Sequence, residues 1–348
     1  MKKLASLLPD RFKLHLLRRH LAASLRTAGG AAPTVALDHR PGADDPLQVR
    51  LHRVGGDDRC IGVGMDLAAA LERPFVYRML YARLPVAMRV FRLAGSALRE
   101  IGADLTDGYA PIAGGLSFCS FRGDVVLIPD PVYFNSGGYS EFRNARLALP
   151  WSRRNDTVLW RGTSTGAGLV TTEMMRPDDP QLRARIRMCL RLAGVPGTDA
   201  RIRKTEGDAA PADHERLVRH GLLGGRIAQA RFGRYKFALD VDGHTNAWSN
   251  FMVRLLLGCC VLKIESERGF RQWFYHRLEP WSHFVPVRAD MSDLLEKIAW
   301  CRSHDSDCQR IAAAAFETAH RMSVTGEVAD AVCRLQAAAG AWPPSRPA

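Results

Sequence analysis

The sequence lacks several features that would assign its class directly. None of its eight cysteines forms a CxxC pair or stands at zinc-finger distance from a histidine, which excludes the common zinc modules. No apolar run reaches the roughly 18 residues that a membrane-spanning helix needs, and no low-complexity tract or clear repeat occurs. The GxSxG, HExxH and cysteine-histidine patterns of hydrolases are also missing. The cysteines are therefore expected to be free thiols in a reducing compartment.

What the sequence does have is a globular composition and a strong positive charge. Its 348 residues are 47% hydrophobic and 24% charged, and this length predicts two domains. The formal net charge is +13, so the surface should attract polyanions such as nucleic acid, anionic lipid or phosphorylated glycans. The expected divisions are a basic amphipathic segment at 1–30, a first domain at 31–150, a second domain at 151–322, and a C-terminal helix and tail at 323–348.

The basic N-terminal segment allows two interpretations. Lysines and arginines alternate there with leucines, so a helix can lie on an anionic membrane surface or pack on the first domain by its leucine face. Pro9, Asp10 and Arg11 interrupt the apolar stretch, which argues against a secretory signal. The expected location is therefore cytoplasmic.

The most informative segment is a strand, turn, helix and strand between Arg234 and Ile264. Apolar residues run almost unbroken from 235 to 241, as in a strand buried on both faces, and Asp242 and Gly243 then form a turn. Polar residues open a helix that Gly258 ends, and a second strand follows. Such a unit either holds a phosphate at its helix start or is a plain packing element. The candidate ligands are Asp242, Gly243, Thr245, Asn246, Ser249 and Asn250.

A second candidate phosphate site is a Gly- and hydroxyl-rich loop at residues 161–168, after a predicted strand at 157–160. Its glycines permit close approach of a ligand, and its candidate ligands are Arg161, Gly162, Thr163, Ser164 and Thr165. It is not a Walker loop, because no Lys-Ser or Lys-Thr pair follows the glycines. A helix is predicted at 181–192 and an irregular stretch with one short helix at 194–225. This order of elements indicates an open parallel sheet, with a diphosphate held between two of its loops.

Three groups of charged residues have both a chemical and a structural interpretation. Asp240 and Asp242 form a DxD pair, which either binds a divalent metal on a nucleotide diphosphate or ends a strand and starts a turn. Lys263 and Glu265 leave a strand where a carboxylate can accept ribose hydroxyls, or they are a solvated strand end. Asp104 and Asp107 stand at a strand-to-loop exit, where an aspartate serves as a general base or simply forms a turn.

With these residues in place, the chain resembles glycosyltransferase family 90, the capsule-associated and protein O-glucosyltransferase family, in its bacterial lipopolysaccharide-modifying branch. The resemblance covers roughly residues 100–320 and depends on the order and spacing of several motifs. These are residues 116–120 with 128–130, Pro150-Trp151, residues 160–163, 235–237 with 242–243, 258–263, 273–275, 278–287 and 290–300.

The resemblance implies an α/β fold of GT-B type, in which two Rossmann-like domains with parallel sheets face each other across a cleft. The first domain would then be the acceptor side and the second the nucleotide-sugar side. Asp107 is the implied catalytic base, with Asp104 as the alternative. Eukaryotic members place an arginine at the start of the capped helix, where this chain has Ser249 and Asn250. Arg161, Lys236 and Arg185 are the candidates for the cation that offsets the diphosphate.

The expected function is that of an inverting, metal-independent glycosyltransferase without a cofactor. It would move xylose, glucose or galactose from a UDP-sugar to a hydroxyl of a bacterial lipopolysaccharide or capsule glycan, with peripheral contact to the inner face of the plasma membrane. Two alternatives remain at this point. A DxD metal would indicate a GT-A-like enzyme, and the charge of +13 would suit a nucleic-acid-binding protein, although no nucleic-acid motif is present.

Overall fold

The structure is a computed structural model that describes residues 9–26, 32–40, 45–56, 59–110, 112–144, 147–207, 209–246 and 248–339. It is a mixed α/β protein with two compact units, Met1–Asn135 together with Ser323–Ala348, and Ser136–Met322. The strands are β1 Thr34–His39, β2 Gln48–Arg53, β3 Cys60–Met65, β4 Glu100–Asp104, β5 Leu116–Ser117, β6 Cys119–Ser120, β7 Val126–Leu127, β8 Asn155–Thr163, β9 Thr198–Lys204, β10 Tyr235–Asp240, β11 Cys260–Ile264, β12 Arg271–Gln272 and β13 Val285–Val287. The helices are α1 Asp10–Ser24, α2 Leu67–Glu72, α3 Pro74–Leu93, α4 Pro131–Asn135, α5 Ala184–Leu192, α6 Pro211–Arg219, α7 Asn250–Leu256, α8 Leu294–Ser303, α9 Asp305–Arg321 and α10 Val324–Ala339.

The first unit contains a six-stranded sheet of mixed direction, in the order β1-β3-β2-β4-β5-β7. β2 runs antiparallel to both β3 and β4, which corrects the expectation of a parallel sheet in this part of the chain. The reason is local. β2 and β3 are joined by a short connection in which Gly55 and Gly56 have left-handed φ angles of +73° and +81°, so the two strands form a hairpin.

The second unit contains a five-stranded sheet in the order β13-β11-β10-β8-β9, and every strand pair in it is parallel. The predicted strand, turn, helix and strand are confirmed as β10, α7 and β11. Strand β9 lies in the stretch that was expected to be irregular. It is an edge strand in which only Ala200 and Ile202 are buried, so its charged sequence hides the strand pattern.

The unit boundaries differ from the expected divisions at 150 and 323. Residues 136–144 and 147–150 belong with the second unit, where Arg143 donates to the carbonyls of His320 and Met322. Helix α10 belongs with the first unit, because Arg334 donates to the Leu127 carbonyl and Gln336 to that of Ala94. The C-terminal helix is therefore part of the first core.

Helix α1 packs on the first unit by its leucine face. Leu17 and Leu21 are fully buried, and the ring of His20 stacks on Tyr81 of α3 at a centroid distance of 3.6 Å. The basic residues Arg11, Arg18 and Arg19 remain exposed. The packing interpretation of this helix is thus confirmed for residues 10–24, while Lys2, Lys3 and the first leucines lie outside the described residues.

Candidate nucleotide site at the sheet edge

An open pocket lies at the carboxyl edge of the parallel sheet in the second unit. Parallel strands end at one edge, so the loops that follow them converge there. The pocket is lined by residues after β8, β10, β11 and β13 and by the first residue of α5. They are Gly166, Ala167, Ala184, Val241, Asp242, Gly243, His244, Ile264, Glu265, Ser266, Glu267, Arg268, Phe270 and Ala289. The structure thereby brings together the predicted residues Asp242, Gly243 and Glu265.

Arg185 connects two of the segments that form the pocket by hydrogen bonds. Its guanidinium donates to the Asp242 carbonyl at 3.0 Å, the Thr163 carbonyl at 3.2 Å and the Thr165 hydroxyl at 2.5 Å. Burial lowers the pKa of Arg185, and the nearby Asp240 and Asp242 carboxylates offset part of that effect. Because its donors serve these loop oxygens, Arg185 is an anchor of the pocket wall and is absent from the pocket lining.

Gly243 lies where the two loops meet. A Cβ atom at this position would stand 2.6 Å from Oγ1 of Thr165 and 3.0 Å from a guanidinium nitrogen of Arg185. Both distances are shorter than ordinary van der Waals contact, so a larger residue would have to displace the Thr165 hydroxyl and the Arg185 guanidinium, which donates to both loops.

The DxD carboxylates belong to a buried ion cluster with Lys263. The ammonium lies 2.9 Å from Oδ2 of Asp240 and 3.4 Å from Oδ1 of Asp242. Burial by itself would lower the pKa of Lys263, but the Asp240 carboxylate, with Tyr275 and Asp242, raises it well above its ordinary value. Lys263 therefore stands as a cation between the two aspartates, and it is buried rather than part of the pocket lining. Among the residues that the structure describes, no group of three histidine, cysteine or acidic side chains is placed to hold a metal.

The predicted loop at 161–168 begins later than expected, because Arg161, Gly162 and Thr163 still belong to β8 and pair with β9. Arg161 donates to Asp199 at 2.6 Å and is therefore not directed at the pocket. The hydroxyl of the buried Ser164 accepts from the Glu206 amide at 2.8 Å. These residues shape the wall without lining the pocket.

Lys236 lies at the start of β10, at the opposite edge of the sheet. Its ammonium bridges Asp156 at 2.7 Å and Asp305 at 2.9 Å. Six strand residues span about 20 Å, so Lys236 cannot reach a ligand beside Asp242. It is excluded as the cation of a diphosphate in this pocket.

The start of α7 differs from the predicted capped phosphate site. The helix has seven residues, and Ser249 before it makes no side-chain cap hydrogen bond. Thr245 and Asn246 are buried, and the Asn246 amide donates to Asp242 and to the Phe270 carbonyl at 3.1 Å each. The side-chain oxygen Oδ1 of Asn250 accepts from the Arg254 guanidinium at 3.1 Å. The pocket is therefore built by the turn after β10 rather than by the helix start.

The two candidate bases in the first unit have different environments. Asp104 ends β4, is buried, and accepts from the Thr106 amide at 2.8 Å, and burial raises its pKa to about 6. The Asp107 carboxylate is 45% exposed and pairs with Arg83 at 2.8 Å, while Arg83 also donates to the Leu105 carbonyl. Of the two carboxylates, that of Asp107 is the one open to solvent.

Several lining residues were not predicted from the sequence, notably His244, Arg268 and Phe270. His244 bonds to Glu206 at 2.7 Å, and the Arg268 guanidinium lies 5.0 Å from the centre of the Phe270 ring. Only their position in the chain could have indicated them. His244 follows β10 as Asp242 does, and Arg268 and Phe270 follow β11 as Glu265 does. The extent of the loop after β11 is what the sequence did not reveal.

Comparisons with known proteins match the part of the chain that contains the pocket. A model described as glycosyl transferase family 90 matches residues 138–334, which is more than half of the chain and contains every pocket residue. Uncharacterized protein 179R of Invertebrate iridescent virus 6 is 29% identical over 192 residues, covering 51% of this chain and 16% of the viral protein. Protein O-glucosyltransferase 2 of Danio rerio is 36% identical over 105 residues, covering 30% of this chain and 20% of that protein.

A third relative extends over more of its own length. Protein O-glucosyltransferase 1 of Rattus norvegicus is 25% identical over 167 residues, covering 47% of this chain and 36% of that protein. The aligned part is thus little more than a third of these relatives, or less. They are viral and animal proteins, so the lipopolysaccharide-modifying branch stays a prediction. On the family match, the chain belongs to glycosyl transferase family 90.

Proposed function

We propose that this chain is a glycosyltransferase that binds a UDP-sugar in the pocket at the carboxyl edge of the second unit. The observation that carries the proposal is the convergence of four strand-end loops and the start of α5 on one pocket, within the segment matched by the family. The positive end of α5, which begins at the lining residue Ala184, suits a diphosphate. The exposed carboxylate of Glu265, which lines the pocket, suits the ribose hydroxyls.

The proposed reaction is a single inverting displacement. Asp107 removes the proton of an acceptor hydroxyl, which attacks the anomeric carbon while the bond to the nucleotide diphosphate breaks on the opposite face. Cationic and amide donors stabilise the departing diphosphate. The proposal includes a GT-B arrangement, in which the first unit supplies the base and the second holds the donor.

The proposal also covers which sugar is transferred and which acceptor receives it. Xylose, glucose and galactose are the candidates, and similarity to proteins named protein O-glucosyltransferase favours glucose. A hydroxyl of a lipopolysaccharide or capsule glycan is the proposed acceptor. A protein hydroxyl is a second candidate, favoured by the names of those same relatives.

Metal independence is proposed on the geometry of the DxD pair. A divalent ion between Asp240 and Asp242 would have to displace the Lys263 ammonium, which already pairs with both carboxylates. Full transfer activity in excess EDTA is the expected result, and restoration of lost activity by Mn²⁺ or Mg²⁺ would favour the GT-A-like alternative.

Steep salt-dependent DNA binding without nucleotide binding would favour the nucleic-acid alternative.

Peripheral contact with an anionic cytoplasmic membrane surface is also proposed, through α1 and the start of α3. Phe12 is 46% exposed and Phe75 55% exposed, and the arginines Arg11, Arg18 and Arg19 lie on the same helix as Phe12. Exposed aromatic rings beside arginines suit an interface with anionic lipid. No helix among the described residues is long and apolar enough to cross a membrane.

The direct test of the proposed chemistry is Asp107→Asn in a sugar-transfer assay. The turnover should fall by about a hundredfold or more, because general base catalysis is lost, while UDP affinity stays unchanged. Asp104→Asn serves as the comparison and should keep most of its activity. Wild-type turnover in Asp107→Asn would overturn the assignment of the base.

A further inference from the structure

A diphosphate in this pocket needs a cation, and most cations around the pocket already have anionic partners. Charge-assisted bonds to phosphate are among the stronger contacts that a site can make. In the described part of the chain, Arg161 pairs with Asp199, Arg183 with Glu206, Arg187 with Glu267, and Lys263 with Asp240 and Asp242. Arg185 donates to loop oxygens.

Arg268 is not among these paired cations. It lines the pocket, its side chain is exposed, and within the described residues it has no carboxylate partner, only the face of the Phe270 ring. A guanidinium stacked on a ring keeps its donors free while its direction is fixed.

The loop that carries Arg268 is ordered by its own hydrogen bonds. The Phe270 amide donates to the Ser266 hydroxyl at 2.9 Å, and the Gly269 amide donates to the Ser266 carbonyl at 3.2 Å. Gly269 has a left-handed φ of +72°, which the turn requires. Phe270 is buried and its carbonyl accepts from Asn246, so the loop is tied to the turn after β10.

We propose that Arg268, on the loop between β11 and β12, is the residue that pairs with the diphosphate of the donor, in place of a cation at the start of α7. This inference rests on the proposed function. The position at the start of α7 is occupied by Asn250, whose side chain accepts from Arg254. The diphosphate cation thus comes from the strand-end loop facing the turn after β10.

Calorimetric titration of the full chain with UDP and with uridine tests this assignment. Arg268→Ala should weaken UDP binding by about tenfold to a hundredfold and leave uridine binding unchanged, because only UDP carries the diphosphate. Arg268→Lys should recover part of the UDP affinity. Arg310→Ala removes an exposed arginine from α9 and should bind UDP as the wild type does.

Three results would overturn the inference. They are wild-type UDP affinity in Arg268→Ala, an equal loss of UDP and uridine affinity in Arg268→Ala, and a loss of UDP affinity in Arg310→Ala as large as that in Arg268→Ala. A wild-type chain that binds neither UDP nor uridine overturns the proposed function itself and the inference with it. Wild-type binding of UDP with no effect of Arg268→Ala overturns the inference alone.

Discussion

At the scale of single residues, burial gives Asp104 a role distinct from that of Asp107. The Asp104 carboxyl is 1% exposed, and burial raises its pKa from 3.8 to about 6. The folded state therefore keeps a proton that the unfolded chain releases. The stabilisation that this bound proton provides is fully present below about pH 4 and is lost as the pH rises toward 6.

Asp104→Asn should remove this pH dependence, because an amide cannot ionise yet still accepts from the Thr106 amide. The variant and the wild type should have similar free energies of unfolding at pH 4. At pH 7 the variant should be more stable by about 3 kcal/mol, from a shift of about two pKa units. Denaturant unfolding at the two pH values measures this, and an identical stability difference at both would contradict it.

Lys263 is the second residue whose environment makes a clear prediction. Lys263→Met removes the ammonium and leaves the fully buried Asp240 carboxylate without its counter-charge. The free energy of unfolding should fall by about 3 to 5 kcal/mol. Arg310→Met removes a charge that pairs with Asp307 on the surface of α9 and should cost about 1 kcal/mol or less. Equal losses of unfolding free energy in the two variants would show that the Lys263 ammonium does not stabilise the buried aspartates.

At the scale of elements, the pocket depends on how closely the loops after β8 and β10 approach. The added methyl group of Gly243→Ala should push the Thr165 hydroxyl and the Arg185 guanidinium away from residue 243. We expect UDP affinity to fall by about tenfold or more. Gly225→Ala is the matched control, since a Cβ there meets nothing within 4 Å. Calorimetric titration of both variants checks this, and unchanged UDP affinity in Gly243→Ala would mean that the loops do not form the site.

The sequence could predict the elements that carry the pocket but not most of the pocket itself. β10, α7 and β11 follow from apolar runs and from Gly258, whose left-handed φ of +68° ends the helix. Lys236 could also have been excluded, because a strand places it far from Asp242. The partners of Arg161 and Lys263 could not be predicted, because they belong to neighbouring strands and sequence spacing does not specify them.

At the scale of the whole molecule, each of the two units has a different part in the proposed function. The first unit holds Asp107 and the exposed basic face of α1, and the second holds the pocket and most of the segment that matches the family. The net charge of +13 suits phosphorylated partners at both places, a diphosphate in the pocket and anionic lipid or glycan at the first unit. Each partner is therefore expected to bind more weakly as salt increases.

The most direct test of the central claim is calorimetric titration of the full chain with UDP, GDP and CDP. The account predicts one site per chain that prefers UDP, with affinity reduced by Gly243→Ala and unchanged by Gly225→Ala. Failure of all three nucleotides to bind at millimolar concentration would contradict the account, as would UDP binding that Gly243→Ala does not alter.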